Sequence, residues 1–169
     1  MTFRVECGTI ISGGCMRNLE GLLATLKLME ETEILIAEFY EACGDTWRED
    51  SQFWLSLAAE ERRHAEYIRK ITEMIKGRME KFEFYRPFNP AAIKTVNRGL
   101  IENRDKVRRG EISKKNAFAI AYDIERSLLE SRYPEIVRTE DIEYNTFMAQ
   151  VMKETRDHMK RIEEMLNKG

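Results

Sequence analysis

The chain has 169 residues, 34% of them charged, and a formal net charge of −2. That length can bury a core without disulfide or metal staples, and the near-neutral balance offers no basic field for nucleic acid or an anionic membrane surface. Only three prolines and nine glycines interrupt the chain, which favours long helices with solvated outer faces.

Residues 1–17 read as a lead segment with Gly8, Gly13 and Gly14 and no helical period. No basic start followed by an apolar block is present, so no secretory signal is expected. The longest apolar runs are far too short for a membrane span. The three cysteines, Cys7, Cys15 and Cys43, form no Cys-x-x-Cys pair and make an odd set. That argues against a disulfide framework or zinc knuckle and for a reducing, cytoplasmic compartment. Cys43 reads as a small apolar residue on a helix face.

A helical domain is expected over 18–169. Asn18 can cap a first helix running to about Gly44, with Leu19, Leu22, Leu26, Met29, Glu33, Ile36, Tyr40 and Cys43 facing inward. Intervals alternating between three and four residues mark the seam of nearly parallel packed helices. A second helix is predicted from about Thr46 to Gly77, on the stripe Trp54, Leu57, Glu61, His64, Ile68, Ile71 and Ile75. The short link "GDTW" makes these two an antiparallel hairpin.

A long connection follows, roughly 78–112. It opens with the Pro- and aromatic-rich "GRMEKFEFYRPFNP" and continues as a connector helix from Asn89–Pro90 to Gly110. Such a connection lets the third main helix run parallel to the second, as in bundles with one crossover. Ser113 can cap that third helix through about Val137, with Ala117, Ala121, Glu125, Leu128 and Leu129 inward. The fourth spans about Glu140 to Asn167, on Tyr144, Met148, Val151, Thr155, His158, Ile162 and Met165. The expected fold is an all-α four-helix bundle with one long crossover between helices two and three.

Each helix carries a polar interruption near its middle: Glu33, then Glu61 with His64, then Glu125, then Thr155 with His158. Sliding the first hairpin until His64 meets His158 also sets Phe53 on Phe147, Leu57 on Val151 and Ile68 on Ile162. A slightly shorter slide puts Glu33 on Glu125. A duplicated hairpin would bring the four interruptions to one level about a pseudo-two-fold axis. Several carboxylates in an apolar core cost several kcal/mol each unless paired. Two dications would supply the missing charge, and Glu oxygens with neutral His nitrogens suit iron or manganese.

Glu33 seven residues before Tyr40 in "EILIAEFYEAC", "EERRH" on the second helix, the crossover, and "DIERSLLESRYPEIV" on the third resemble the rubrerythrin branch of the ferritin-like di-iron superfamily over about 18–167. The resemblance implies Glu33, Glu61, His64 and Glu125 as metal ligands, with His158 from the fourth helix, and Tyr40 as a candidate catalytic residue close to the metals. It implies two iron ions, or manganese, and a possible homodimer. The pattern departs at Thr155, where the family's fourth helix repeats Glu-x-x-His. Glu154, one residue away, either rotates in as the substitute ligand, which is the preferred reading, or faces solvent. No paired Cys-x-x-Cys motifs supply a rubredoxin-type centre, so electrons would come from an external donor protein.

Three functions compete at this level. The first is an oxidoreductase reducing peroxide or dioxygen, which turnover with an external reductant would reveal. The second is a metal-handling protein that binds or oxidises ferrous iron stoichiometrically. The third is a scaffold with a decayed site, which would fail to retain metal.

Overall fold

The computed structural model describes residues 13–84, 89–131 and 135–168, with side chains from residue 19 onward and without that of Phe84. Readings that rest on Cys7, on the side chains of Cys15, Asn18 and Phe84, and on residues 85–88 of the aromatic crossover segment lie outside what is described.

Among the described residues the protein is a helical bundle. Helix α1 (Gly13–Thr46) buries Leu22, Leu26, Met29, Ile36, Tyr40 and Cys43, as its three–four spacing requires. It differs from expectation at both ends. The chain is already helical at Gly13, ahead of Asn18, and continues past Gly44 to Thr46. Gly44 serves packing instead: a Cβ there would stand 3.3 Å from the Trp54 Cβ, so the missing side chain admits the neighbouring helix. Thr46, the expected start of the second helix, closes α1, its Oγ1 donating to the Ala42 carbonyl at 2.8 Å.

After a 3-10 turn at Arg48–Asp50, α2 (Ser51–Gly77) packs against α1 with Trp54, Leu57, Glu61, His64, Ile68, Ile71 and Ile75 all buried. The crossover contains β1 (Glu83–Phe84) and α3 (Pro90–Arg108). Pro90 begins α3 where its missing N–H costs nothing, and Asn89 Oδ1 accepts from the Ala91 amide at 3.0 Å. Gly110, at φ +71°, turns the chain out of it. Helix α3 lies on α1, tied by a buried hydrogen bond of 2.7 Å from Thr32 Oγ1 to Asn97 Oδ1 and by the Arg104–Glu38 ion pair.

Helix α4 (Lys114–Glu130) starts at the Ser113 cap, as expected, but stops well short of Val137. Val137–Arg138 is a strand, β2, pairing antiparallel with β1 through Glu83 opposite Arg138 and Phe84 opposite Val137. The sequence signal was Pro134, which lacks the N–H that a continuing helix needs. Helix α5 (Ile142–Leu166) is capped by Asp141, whose Oδ1 accepts from the Glu143 and Tyr144 amides at 3.1 and 3.2 Å.

Side-chain contacts fix the helix directions. Lys114 reaches Asp50 at 3.0 Å and Phe118 stacks on Trp54 at 4.4 Å, so α4 starts beside the start of α2 and runs the same way. Arg78, at the end of α2, pairs with Asp141 at the start of α5, while Arg161 bonds Ser56 at 2.6 Å; α2 and α5 are therefore antiparallel. No described helix is long and apolar enough to cross a membrane.

Candidate metal centre

Four helices deliver charged or titratable side chains to one level of this core. Glu33 from α1, Glu61 and His64 from α2, Glu125 from α4 and His158 from α5 are each at most 1% exposed. Glu61 stands between the two imidazoles. Its Oε2 is 3.0 Å from His64 Nδ1, and its Oε1 is 2.7 Å from His158 Nδ1. The latter nitrogen also lies 3.6 Å from Glu125 Oε1, and the two rings stack with centroids 5.5 Å apart. Two donor sets result, Glu33–Glu61–His64 and Glu61–Glu125–His158, with the ligand atoms of each within 4.8 Å of one another. Glu61 belongs to both.

The donor atoms are short of partners. Among the described residues, six buried side-chain nitrogen or oxygen atoms lack a hydrogen-bond partner, and four of them belong here: Glu33 Oε2, Glu61 Oε1, Glu125 Oε2 and His158 Nδ1. His158 Nδ1 and Glu61 Oε1 are close but not aligned as donor and acceptor. Ligand atoms about 2.0–2.2 Å from a common cation stand about 3 Å apart, so a close pair without hydrogen-bond alignment has the spacing of two ligands to one ion. Buried polar atoms rarely stay unsatisfied without such a reason. These residues fit a pair of dications.

Without metal, protons carry the compensation. Burial, then the charge on Glu61, raises Glu33 well above its ordinary 4.5, and the same causes raise Glu125. Burial disfavours a charged His158, but Glu125 and Glu61 overcome it and lift the imidazole to about 11. Burial opposes charge on His64 as well, and Glu61 wins there too. Glu61 itself would be raised by burial, yet the imidazoles of His158 and His64 beside it hold it below the carboxylate range.

The outward nitrogens define a second layer. His64 Nε2 lies 2.8 Å from Glu154 Oε2, and His158 Nε2 lies 2.7 Å from Glu60 Oε2. Glu154 is therefore neither in the inner donor sets nor turned to solvent: its side chain is 14% exposed, on the far side of His64 and held by Gln150. The expected substitution for the missing ligand is not what the structure places there, because a side chain one position from the seam meets the neighbouring helix first. Glu60 went unread in the sequence, since it sits just off the stripe. The slide that sets His64 on His158 also sets Glu60 on Glu154, and that reciprocity was the available signal.

A carboxylate on the outer nitrogen fixes the imidazole's tautomer and orientation and raises its basicity as a ligand. Glu60→Gln and Glu154→Gln are each expected to weaken metal binding about 10–100-fold without loss of fold. Calorimetric titration checks this; unchanged affinity in both would remove the two residues from the centre. Arg161 pins Glu60 at 3.1 and 3.2 Å, whereas Arg63 approaches Glu154 only to 3.5 Å.

Tyr40 is fully buried and donates its hydroxyl to Glu125 Oε1 at 2.5 Å. Burial, reinforced by Glu125 and Glu61, pushes its phenol well above the ordinary 10, so it stays a neutral donor. Thr155 is also buried, with Oγ1 donating to the Val151 carbonyl at 2.9 Å. Comparison of the chain with protein-family models, curated proteins and solved structures finds no match.

Proposed function

We propose that this protein is a dinuclear carboxylate protein of the ferritin-like, rubrerythrin-related kind, holding two iron ions and reducing peroxide or dioxygen with electrons from an external donor protein. The observation that carries the reading is Glu61, whose two oxygens serve two different buried donor sets. A structural ion pair would need only one partner. The succession of hairpin, crossover and second hairpin, with α4 parallel to α2, supports the ferritin-like assignment.

In this reading Glu33 and His64 would hold one ion and Glu125 and His158 the other, with Glu61 available as a donor to both. Manganese suits the same oxygen and nitrogen donors. A ferrous pair supplies the two electrons that cleavage of a peroxide bond consumes. The chain's residues supply the surroundings: Ile36, Leu57, Ala121 and Val151, on the same four helices, are buried and exclude water. Tyr40 orients Glu125 and keeps a proton beside it. The three cysteines of these 169 residues form no Cys-x-x-Cys pair, and in this reading the electrons come from an external donor protein and the chain pairs as a homodimer.

Steady-state peroxide consumption by the iron-loaded protein with an artificial reductant tests the reading. Repeated turnover, lost in Glu61→Ala, is the expected result. Ferrous oxidation that stops after one equivalent per site would assign the centre to metal handling instead.

A further inference from the structure

We infer that Arg161 is a positioning residue for one of the two ions alone: it holds Glu60 against His158, and so makes the Glu125–His158 position the tighter of the two and the first to fill. The inference rests on the dinuclear reading above and goes beyond it, since nothing in that reading tells the two positions apart.

The duplicated hairpin supplies the comparison. The slide that sets His64 on His158 also sets Phe53 on Phe147, Ser56 on Gln150, Glu60 on Glu154 and Tyr67 on Arg161. The structure keeps these equivalences. Arg161 lies over the Phe53 ring at 5.8 Å, and Tyr67 stacks on Phe147 at 5.1 Å. The two halves therefore match in place around their outer carboxylates, but α5 brings a guanidinium where α2 brings a phenol.

The guanidinium is engaged. Its Nη1 donates to both oxygens of Glu60, at 3.1 and 3.2 Å, and its Nη2 donates to Ser56 Oγ at 2.6 Å. His158 and Arg161 stand on α5, while Glu60 and Ser56 stand on α2. The carboxylate is thus gripped from the same helix that carries the imidazole it orients. Glu60 cannot turn away from His158 Nε2, 2.7 Å distant, without breaking the bonds to Arg161 as well.

Glu154 has no such grip. Gln150 bonds it from its own helix, and Arg63 on α2 stays 3.5 Å away without a hydrogen bond. Among the described residues, the hydrogen bond of Glu154 to α2 is the one to His64 itself. Arg161 is 34% exposed and Glu60 21%, so their pairing adds little to the stability of the fold. Its effect falls on orientation. An imidazole whose outer nitrogen meets a fixed acceptor is set before an ion arrives, so less order has to be imposed on binding.

The test uses the full chain and manganous ions in calorimetry, with two variants that each keep one position. Glu33→Ala keeps Glu61, Glu125 and His158; Glu125→Ala keeps Glu33, Glu61 and His64. The first should bind its ion about tenfold more tightly than the second. Adding Arg161→Gln should weaken binding about tenfold in Glu33→Ala and less than about twofold in Glu125→Ala. Arg161→Lys, which can still reach Glu60, should restore binding to within about threefold. The metal-free melting temperature of Arg161→Gln should stay within about 3 °C of wild type. An arginine that only supports the fold would weaken both positions alike or neither. Either result, or equal affinities in the two single-position variants, would overturn the inference and leave the dinuclear reading intact. A wild type that fails to hold two ions would overturn both. Should Arg161→Gln not fold, Ser56→Ala decides: it frees the other end of the guanidinium, and a loss confined to Glu33→Ala is expected, whereas no loss there would count against Arg161.

Discussion

Glu61→Ala is expected to lose both metal ions, whereas Glu33→Ala and Glu125→Ala should each spoil one site and leave the other. The asymmetry follows from position: Glu61 alone belongs to both donor sets, and its two oxygens lie 3.0 and 2.7 Å from the nitrogens of different histidines. Removing an outer carboxylate from a metal-bound histidine already costs about 10–100-fold in affinity, so loss of a direct ligand should reach or pass the upper end in both binding steps. Glu61→Gln is the companion variant. It fills the same space and supplies no anion, so a matching loss would trace the effect to ligation instead of packing. Titration of the three alanine variants would read one binding event in two of them and none in the third. Equal residual binding in all three would show that Glu61 is not shared.

The gap in melting temperature between metal-loaded and metal-free protein should widen as pH rises from about 6 to 8. Glu33 and Glu125 have raised values in the fold, so the stability they confer is complete below their ordinary 4.5 and drains as pH rises toward the folded value. His158 behaves alike, its contribution complete below 6.5 and lost as pH climbs toward about 11. Glu61 has the opposite sign: depressed in the fold, it contributes above 4.5 and loses that only in acid, so it is flat across this window. Metal-free protein therefore weakens from pH 6 upward. Metal binding displaces the proton of His158, which the fold holds through this whole window, and a proton displaced raises affinity about tenfold per pH unit. These are one effect seen from two sides: the stability that the metal-free protein loses with its protons is what the metal-loaded protein, already without them, keeps. A gap that stays constant or narrows would contradict this account of the protons.

Much of this was legible in the sequence, for a physical reason. Helices that pack along their whole length must repeat apolar residues every three to four positions, so polar intrusions such as Glu33, Glu61, His64, Glu125 and His158 stand out against the stripe. All five are buried where the spacing puts them. Helix ends were less legible. Gly44 looked like a terminator, but its lack of a side chain admits Trp54, a contact between helices that a local reading cannot see. The end of α4 is set by pairing between β2 and β1, strands far apart in the chain, and only Pro134 hinted at it. Glu60 and Glu154 were the hardest. Residues flanking a seam look solvated on a single helix, and their role exists only because α2 and α5 run antiparallel and exchange carboxylates across their contact.

The central claim is that two ions share this core through one carboxylate. Anaerobic titration of the metal-free wild-type protein with ferrous iron, followed by calorimetry, tests it most directly. The account predicts two ions bound per chain, with proton release on binding and a higher melting temperature once both are in place. Saturation at one ion per chain, or no binding at all, would contradict it.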